Sequence, residues 1–170
     1  FRSLLEGKDM AATKTAGVSS LGVTFSYGVE TTKGTKPTAF TILNRINQIG
    51  DVTVETEAID ASALEDKQTR NIPGRDTVSD TLTVTVNKTD ETIAEWEKVI
   101  TDYQALTDGK RMWFQTITPG FTKAEFVVAA PPSKLPISGK EQNSLLTMEI
   151  NLTVDEMIGS DTKVEPTSGE

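Results

Sequence analysis

The sequence predicts a mainly β fold: a β-sandwich of two packed sheets, about six or seven strands in all, flanked by one α-helix. Three features predict it. Apolar and polar residues alternate with a period of two in separate runs, most clearly in "TLTVTVN" (81–87) and "SLLTMEINLTV" (144–154). A single segment, from Asp90 to Asp108, instead repeats its apolar residues every three to four positions. The Pro-rich stretch "PPSKLPISGKEQN" (131–143) cannot serve as a central strand and reads as a loop.

In chain order, "LGVTFSYGVE" places Val23, Phe25, Tyr27 and Val29 on one face of a half-buried strand. A turn at "TTKGTKPT" and an extended "AFTILNRI" follow. After Gly50, "DVTVETEAI" alternates Val52, Val54 and Ala58 with Thr53, Glu55 and Glu57, an apolar face against an acidic one. Residues 65–80, "EDKQTRNIPGRDTVSD", carry four acids and three bases and read as a long charged loop. In the next strand Leu82, Val84 and Val86 face inward and Thr81, Thr83, Thr85 and Asn87 outward. Asp90 reads as the helix N-cap, with Ile93, Trp96, Ile100 and Tyr103 on the apolar face and Asp108-Gly109 as the stop. "RMWFQTIT" and "KAEFVVAA" read as strands about the turn "PGF". The last strand sets Leu146, Met148, Ile150, Leu152 and Val154 against Thr147, Glu149, Asn151 and Thr153.

The chain of 170 residues divides into a flexible N-terminal segment (1–16), one domain (17–157) and a polar C-terminal tail (158–170). Met10 reads as a native start, which makes residues 1–9 an expression remnant or an upstream extension. A net charge of −8 excludes a groove that grips nucleic-acid phosphates, and suits a wall along which DNA slides. Neither cysteine nor histidine occurs, which removes thiol nucleophiles, zinc fingers, His-based metal sites and Ser-His-Asp triads. No apolar run approaches membrane-spanning length.

The order "GDVTVETEAIDAS", a charged loop ending in "IPGRDTVSD", a Thr-alternating strand, one helix, a Pro-rich loop and a last strand resembles the major tail tube protein of long, non-contractile bacteriophage tails, related in fold to the type VI secretion tube protein. The resemblance spans roughly Gly17 to Asp155 and is densest from Glu57 to Asn87. It implies a tail-tube-like sandwich that self-assembles into hexameric rings. Stacked rings form a tube in the virion tail, assembled in the bacterial host cytoplasm, through which DNA is delivered without specific binding. It also implies partners of the same particle: tail tip or initiator, tape measure and tail terminator proteins. By position, Glu65 to Asp80 would be the inter-ring stacking loop, with Glu65, Asp66, Lys67, Arg70, Ile72, Pro73, Arg75, Asp76 and Asp80 as contact residues. Arg70 and Arg75 could pair with carboxylates, and Ile72, beside Pro73 and Gly74, would be the apolar anchor. Thr83, Thr85, Glu149 and Asn151 are candidate lumen-facing residues.

Two rival readings remain. A pair of carboxylates such as Glu55 and Glu57, about 7 Å apart along a strand, has the separation glycosidases use, with Asp60 nearby; the spacing occurs in any acidic strand, and no enzyme is expected. A calcium-stabilised or carbohydrate-binding adhesin module is the stronger rival, because "DASALED" brings Asp60, Glu65 and Asp66 together; the spaced Asp/Asn loop of an EF-hand is missing, and no cofactor is expected.

Overall fold

The structure, a computed structural model, describes residues 16–168. Nine strands and one helix follow in the order β1 (Thr24–Val29), β2 (Thr41–Leu43), β3 (Ile46–Ile49), β4 (Val54–Asp60), β5 (Asn71–Val78), β6 (Thr81–Asn87), α1 (Asp90–Gln104), β7 (Met112–Ile117), β8 (Lys123–Ala130) and β9 (Thr147–Thr162). Among the described residues the fold is mainly β with one helix, as the alternation predicts. The expected segment 1–16 lies, but for its last residue, outside the described residues. No helix among the described residues is long and apolar enough to cross a membrane.

Seven strands form one antiparallel sheet in the order β2-β1-β7-β8-β9-β6-β3, and β4-β5 pair separately. The two layers of the expected sandwich are therefore halves of one continuous sheet. Chain geometry forces that sheet to curl. Its edges, β2 and β3, are consecutive in sequence with only Asn44 and Arg45 between them. Three peptide steps of 3.8 Å bring Leu43 and Ile46 within about 11 Å, so the edges meet at this corner. Arg45 turns it with φ at 58°, in the left-handed region. Glu95 of α1 pins it, accepting from the Asn44 backbone N–H (3.0 Å) and side-chain Nδ2 (2.6 Å).

Inside the curl, Phe25, Tyr27, Leu82, Val84, Val86, Met112, Phe114, Met148, Ile150 and Leu152 form the core, and α1 contributes Trp96 and Val99. The inward residues of β6 and β9 are those the alternation selects. Phe25 and Phe114 stack at 5.5 Å. The helix begins one residue earlier than expected: Thr89, not Asp90, is the N-cap, and Thr89 and Thr92 exchange side-chain to backbone hydrogen bonds as a capping box. Tyr103, expected on the apolar face, is exposed.

Tyr27 joins helix to sheet. Its hydroxyl donates to Asp102 (2.9 Å) and accepts from Lys98 (3.3 Å). Burial pushes the phenol pKa above its ordinary value of 10.0, Asp102 adds to the effect and Lys98 opposes it. A raised folded-state pKa contributes stability that is complete below the unfolded value and lost as pH rises through the folded one. Tyr27 should therefore stay protonated when a free tyrosine would have ionised, and unfolding free energy should fall as pH climbs above 10; parallel ultraviolet and denaturant titrations check both.

A second polar cluster sits just past the C-terminal end of β1. Glu30, its side chain fully buried, accepts from the Arg111 backbone N–H at 2.6 Å, and the guanidinium lies 3.5 Å away. Arg111 also pairs with Glu156 (2.8 Å) and Asp155 (3.4 Å), while Glu30 Oε2 has no partner among the described residues. Removing a partner from a buried charge costs more than the pair contributes. Arg111→Ala should destabilise the fold by about 3 kcal/mol, measured by urea unfolding, and Arg111→Lys should restore only part of it because the fork geometry is lost.

The C-terminal boundary needs correction. Residues 158–170 were expected to be a polar tail, but β9 runs to Thr162 and pairs along β8 as far as Lys123↔Thr162. Beyond it the chain folds over the outer face of β7 and β8, where Val164, like Ile158 of β9, packs on the cluster of Phe40, Trp113 and Phe126. The Gln115 side chain clamps the Val164 backbone from both sides (2.8 and 2.9 Å), and Thr167 bridges to Thr41. Composition misleads here because the apolar partner of Val164 is supplied by distant strands.

Candidate assembly surface

β4 and β5 form an antiparallel hairpin that stands apart from the main sheet. Every residue of β4 is exposed, and in β5 only Gly74 and Val78 are partly covered. The apolar face expected for Val52, Val54 and Ala58 is therefore broken: Val52 packs on the core, while Val54 and Ala58 stand in solvent. The segment expected as a loop from 65 to 80 is corrected likewise. Residues 71–78 are strand β5, and the connecting loop covers 61–70. The charge content that suggests an unstructured insert belongs to a ribbon with two solvated faces, where no core face imposes alternation.

Backbone pairing and local caps order this ribbon. Ile59 faces Ile72, Thr56 faces Asp76 with a 2.7 Å side-chain hydrogen bond, and Ala58 faces Pro73. Between these pairs Gly74 and Arg75 oppose the lone Glu57, a bulge that twists the hairpin. A Cβ on Gly74 would lie 2.9 Å from the Ile59 side chain and 3.1 Å from the Glu57 carbonyl, so glycine permits the bulge. Pro73 removes a donor from a strand whose outer edge is open, which protects that edge from indiscriminate pairing.

In the loop, Asp60 accepts from the Ser62 N–H (2.8 Å), Asp66 from the Ala63 N–H (2.8 Å), and the Arg70 N–H donates to Ser62 Oγ (2.8 Å). Hydrogen bonding from Ser62 holds the Asp60 carboxyl below its ordinary pKa. These acids serve the turn, and among the described residues no group of three acids is placed to hold a metal ion. Glu55 and Glu57 are both exposed, on a strand without an enclosing cavity.

The hairpin keeps apolar side chains in water. Ile59 and Ile72, cross-strand neighbours, are 49% and 52% exposed, and Leu64 at the tip is fully exposed. Leu64 shares the tip with Lys67 and Arg70, whose guanidinium reaches Asp66 only at 3.9 Å. Of the sequence-selected contact residues, Glu65, Asp66, Lys67 and Arg70 lie in the tip loop, Ile72, Pro73, Arg75 and Asp76 in β5, and Asp80 at its base. Leu64 and Ile59 were missed, because one exposed leucine or isoleucine in a sequence carries no sign of where it points.

Two further surfaces flank the hairpin. The outward faces of β6 and β9 bring together Thr83 with Asn151 and Thr85 with Glu149 as direct cross-strand pairs, the first hydrogen-bonded at 2.8 Å. The face is polar and acidic, with no cation among these four. The other surface is the open end of the curled sheet. The helix closes the end where β6 finishes; the opposite end, where β6 begins, opens into a cavity of about 1000 Å³. Ile46, Ile49, Val52, Leu82, Phe114 and Val127 line it, with the exposed Asp51 and Glu125 also on its wall.

No protein-family description matches the sequence, and no curated protein is similar to it. A likeness does emerge from the fold. A chain in the cryo-EM structure of the anti-feeding prophage (AFP) baseplate, six-fold symmetrised, superposes with a TM-score of 0.51 over 85% of this chain and 95% of that one, at 11% sequence identity. What the two share is the fold. The correspondence takes in nearly the whole of the baseplate chain, so it concerns the architecture entire and not one motif.

Proposed function

We propose that the protein is a structural subunit of a phage-tail-like particle that assembles with copies of itself into rings, hexameric by the sequence resemblance, which stack into a tube. The observation that carries this reading is the hairpin. A monomer gains nothing from a ribbon that exposes Ile59, Leu64 and Ile72 and packs scarcely at all on its own core, whereas a neighbouring subunit would bury that surface. The fold likeness to a chain of a prophage baseplate supports it, as do the acidic charge and the tail-tube resemblance in sequence.

On this reading the protein performs no catalysis and needs no cofactor. Its partners are further copies of itself and the tip, tape measure and terminator proteins of the same particle. The tube would conduct DNA, with Thr83, Thr85, Glu149 and Asn151 presenting a neutral-to-acidic wall that offers phosphates no cationic trap. The match to a baseplate chain favours a second placement, in the baseplate at the end of such a tube.

Negative-stain electron microscopy over a wide concentration range tests both. Open-ended hollow tubes support the tube subunit, and rings that do not elongate support the baseplate placement. Dispersed monomers at every concentration and salt would overturn self-assembly. A calcium-dependent rise in melting temperature would instead favour the adhesin alternative.

A further inference from the structure

We infer that the hairpin tip of one copy, Leu64 with Lys67 and Arg70, docks into the open end of the curled sheet of a second copy, between Asp51 and Glu125. The inference deepens the assembly reading and rests on it, by naming the surface that receives the hairpin. Three observations lead to it. Leu64 is a fully exposed leucine at the apex of a hydrogen-bonded loop, presented rather than buried. The cavity at the open end presents apolar side chains such as Ile46, Ile49, Leu82 and Phe114 among polar ones, is large enough for several side chains, and is not filled by the described residues. Its two acidic residues, Asp51 and Glu125, are opposite in sign to Lys67 and Arg70, which follow Leu64 in the tip loop after the acidic Glu65 and Asp66.

Geometry makes the contact intermolecular. Asp51 and Val52, on the cavity wall, are followed almost at once by β4, so the hairpin springs from beside its own cavity. Val54 to Asp60 spans six residue steps at about 3.3 Å, which carries the tip some 20 Å from that base. Pairing with β5 along its length prevents the ribbon from folding back. Leu64 therefore cannot reach the cavity of its own copy. Because tip and cavity are different surfaces, each copy gives one and receives one, and contacts propagate head to tail into a ring or an open array.

Cysteine cross-linking tests this cleanly because the chain has no native cysteine. The double variant Leu64→Cys/Val52→Cys, concentrated until it assembles and then oxidised, should give a ladder of disulfide-linked dimers, trimers and larger species on electrophoresis, collapsed by reductant. A product that stops at dimer would overturn the head-to-tail arrangement in favour of reciprocal exchange. Cross-linking of Leu64→Cys alone would show tip-to-tip contact and overturn the docking. Assembly by microscopy without any ladder would overturn the cavity as receptor while leaving self-assembly standing; absence of both would overturn self-assembly as well. Charge reversal provides the second arm. Asp51→Lys/Glu125→Lys should raise the concentration needed for assembly at least tenfold, and adding Lys67→Glu/Arg70→Glu should recover most of it. Equal behaviour of the double and quadruple variants would overturn the charge pairing.

Discussion

Excising the hairpin should abolish assembly and leave the folded subunit nearly unchanged. Thr53 and Ser79 at its base are already adjacent: the Ser79 N–H donates to the Thr53 carbonyl at 3.0 Å, and the Thr53 N–H to Ser79 Oγ at 3.1 Å. Replacing residues 54–78 by a short Gly-Ser turn therefore joins ends that the native fold holds together. None of the excised residues belongs to the core. Surface changes of this kind alter stability by about 0.5 kcal/mol, so the melting temperature should move by no more than about 2 °C. Microscopy and sedimentation should find neither rings nor tubes at any concentration. A variant that melts normally and still forms tubes would show that stacking uses other surfaces. A cut at residues 66–76 is less informative, because it removes most of β5 and strands the exposed β4 without a partner.

The second large effect is on the fold. Trp96 is completely buried on the inner face of α1, in the core cluster with residues of β1, β6, β7 and β9. Trp96→Ala leaves a cavity that a hydrogen-bonded sheet and a capped helix cannot collapse to fill. A loss of about 3–5 kcal/mol is expected, a large part of the 5–15 kcal/mol by which domains are ordinarily stable. The melting temperature should fall by about 10 °C or more. Trp96→Phe should cost less, since it keeps most of the apolar volume and removes the indole N–H, which has no partner among the described residues. If the alanine variant unfolded like the wild type in urea, the helix would not be part of the cooperative core.

These two experiments separate the regions on which sequence and structure carry different information. Alternation in 81–87 and 147–154 determines which residues of β6 and β9 are buried, because each strand has one core face and one solvent face and the period is two. The helical period at Ile93, Trp96 and Ile100 likewise determines the inward face of α1. The acidic charge and the missing cysteine and histidine exclude whole classes of chemistry without any coordinates.

The ribbon of β4 and β5 escapes such reading, since both its faces meet solvent and no periodicity marks the strand of residues 71–78. The C-terminal fold-back escapes it too: Val164 is an ordinary residue in a polar stretch until Gln115, Phe126 and Trp113 are brought beside it. Tertiary structure alone decides that β2 and β3, neighbours in sequence, are opposite edges of one sheet. That juncture curls the sheet, leaves one end open beside the hairpin, and lifts Leu64 away from it. Local sequence specifies a strand's inward face because burial acts on each residue where it stands. Which strands become edges, and where the opening lies, depends on pairings between residues far apart in the chain.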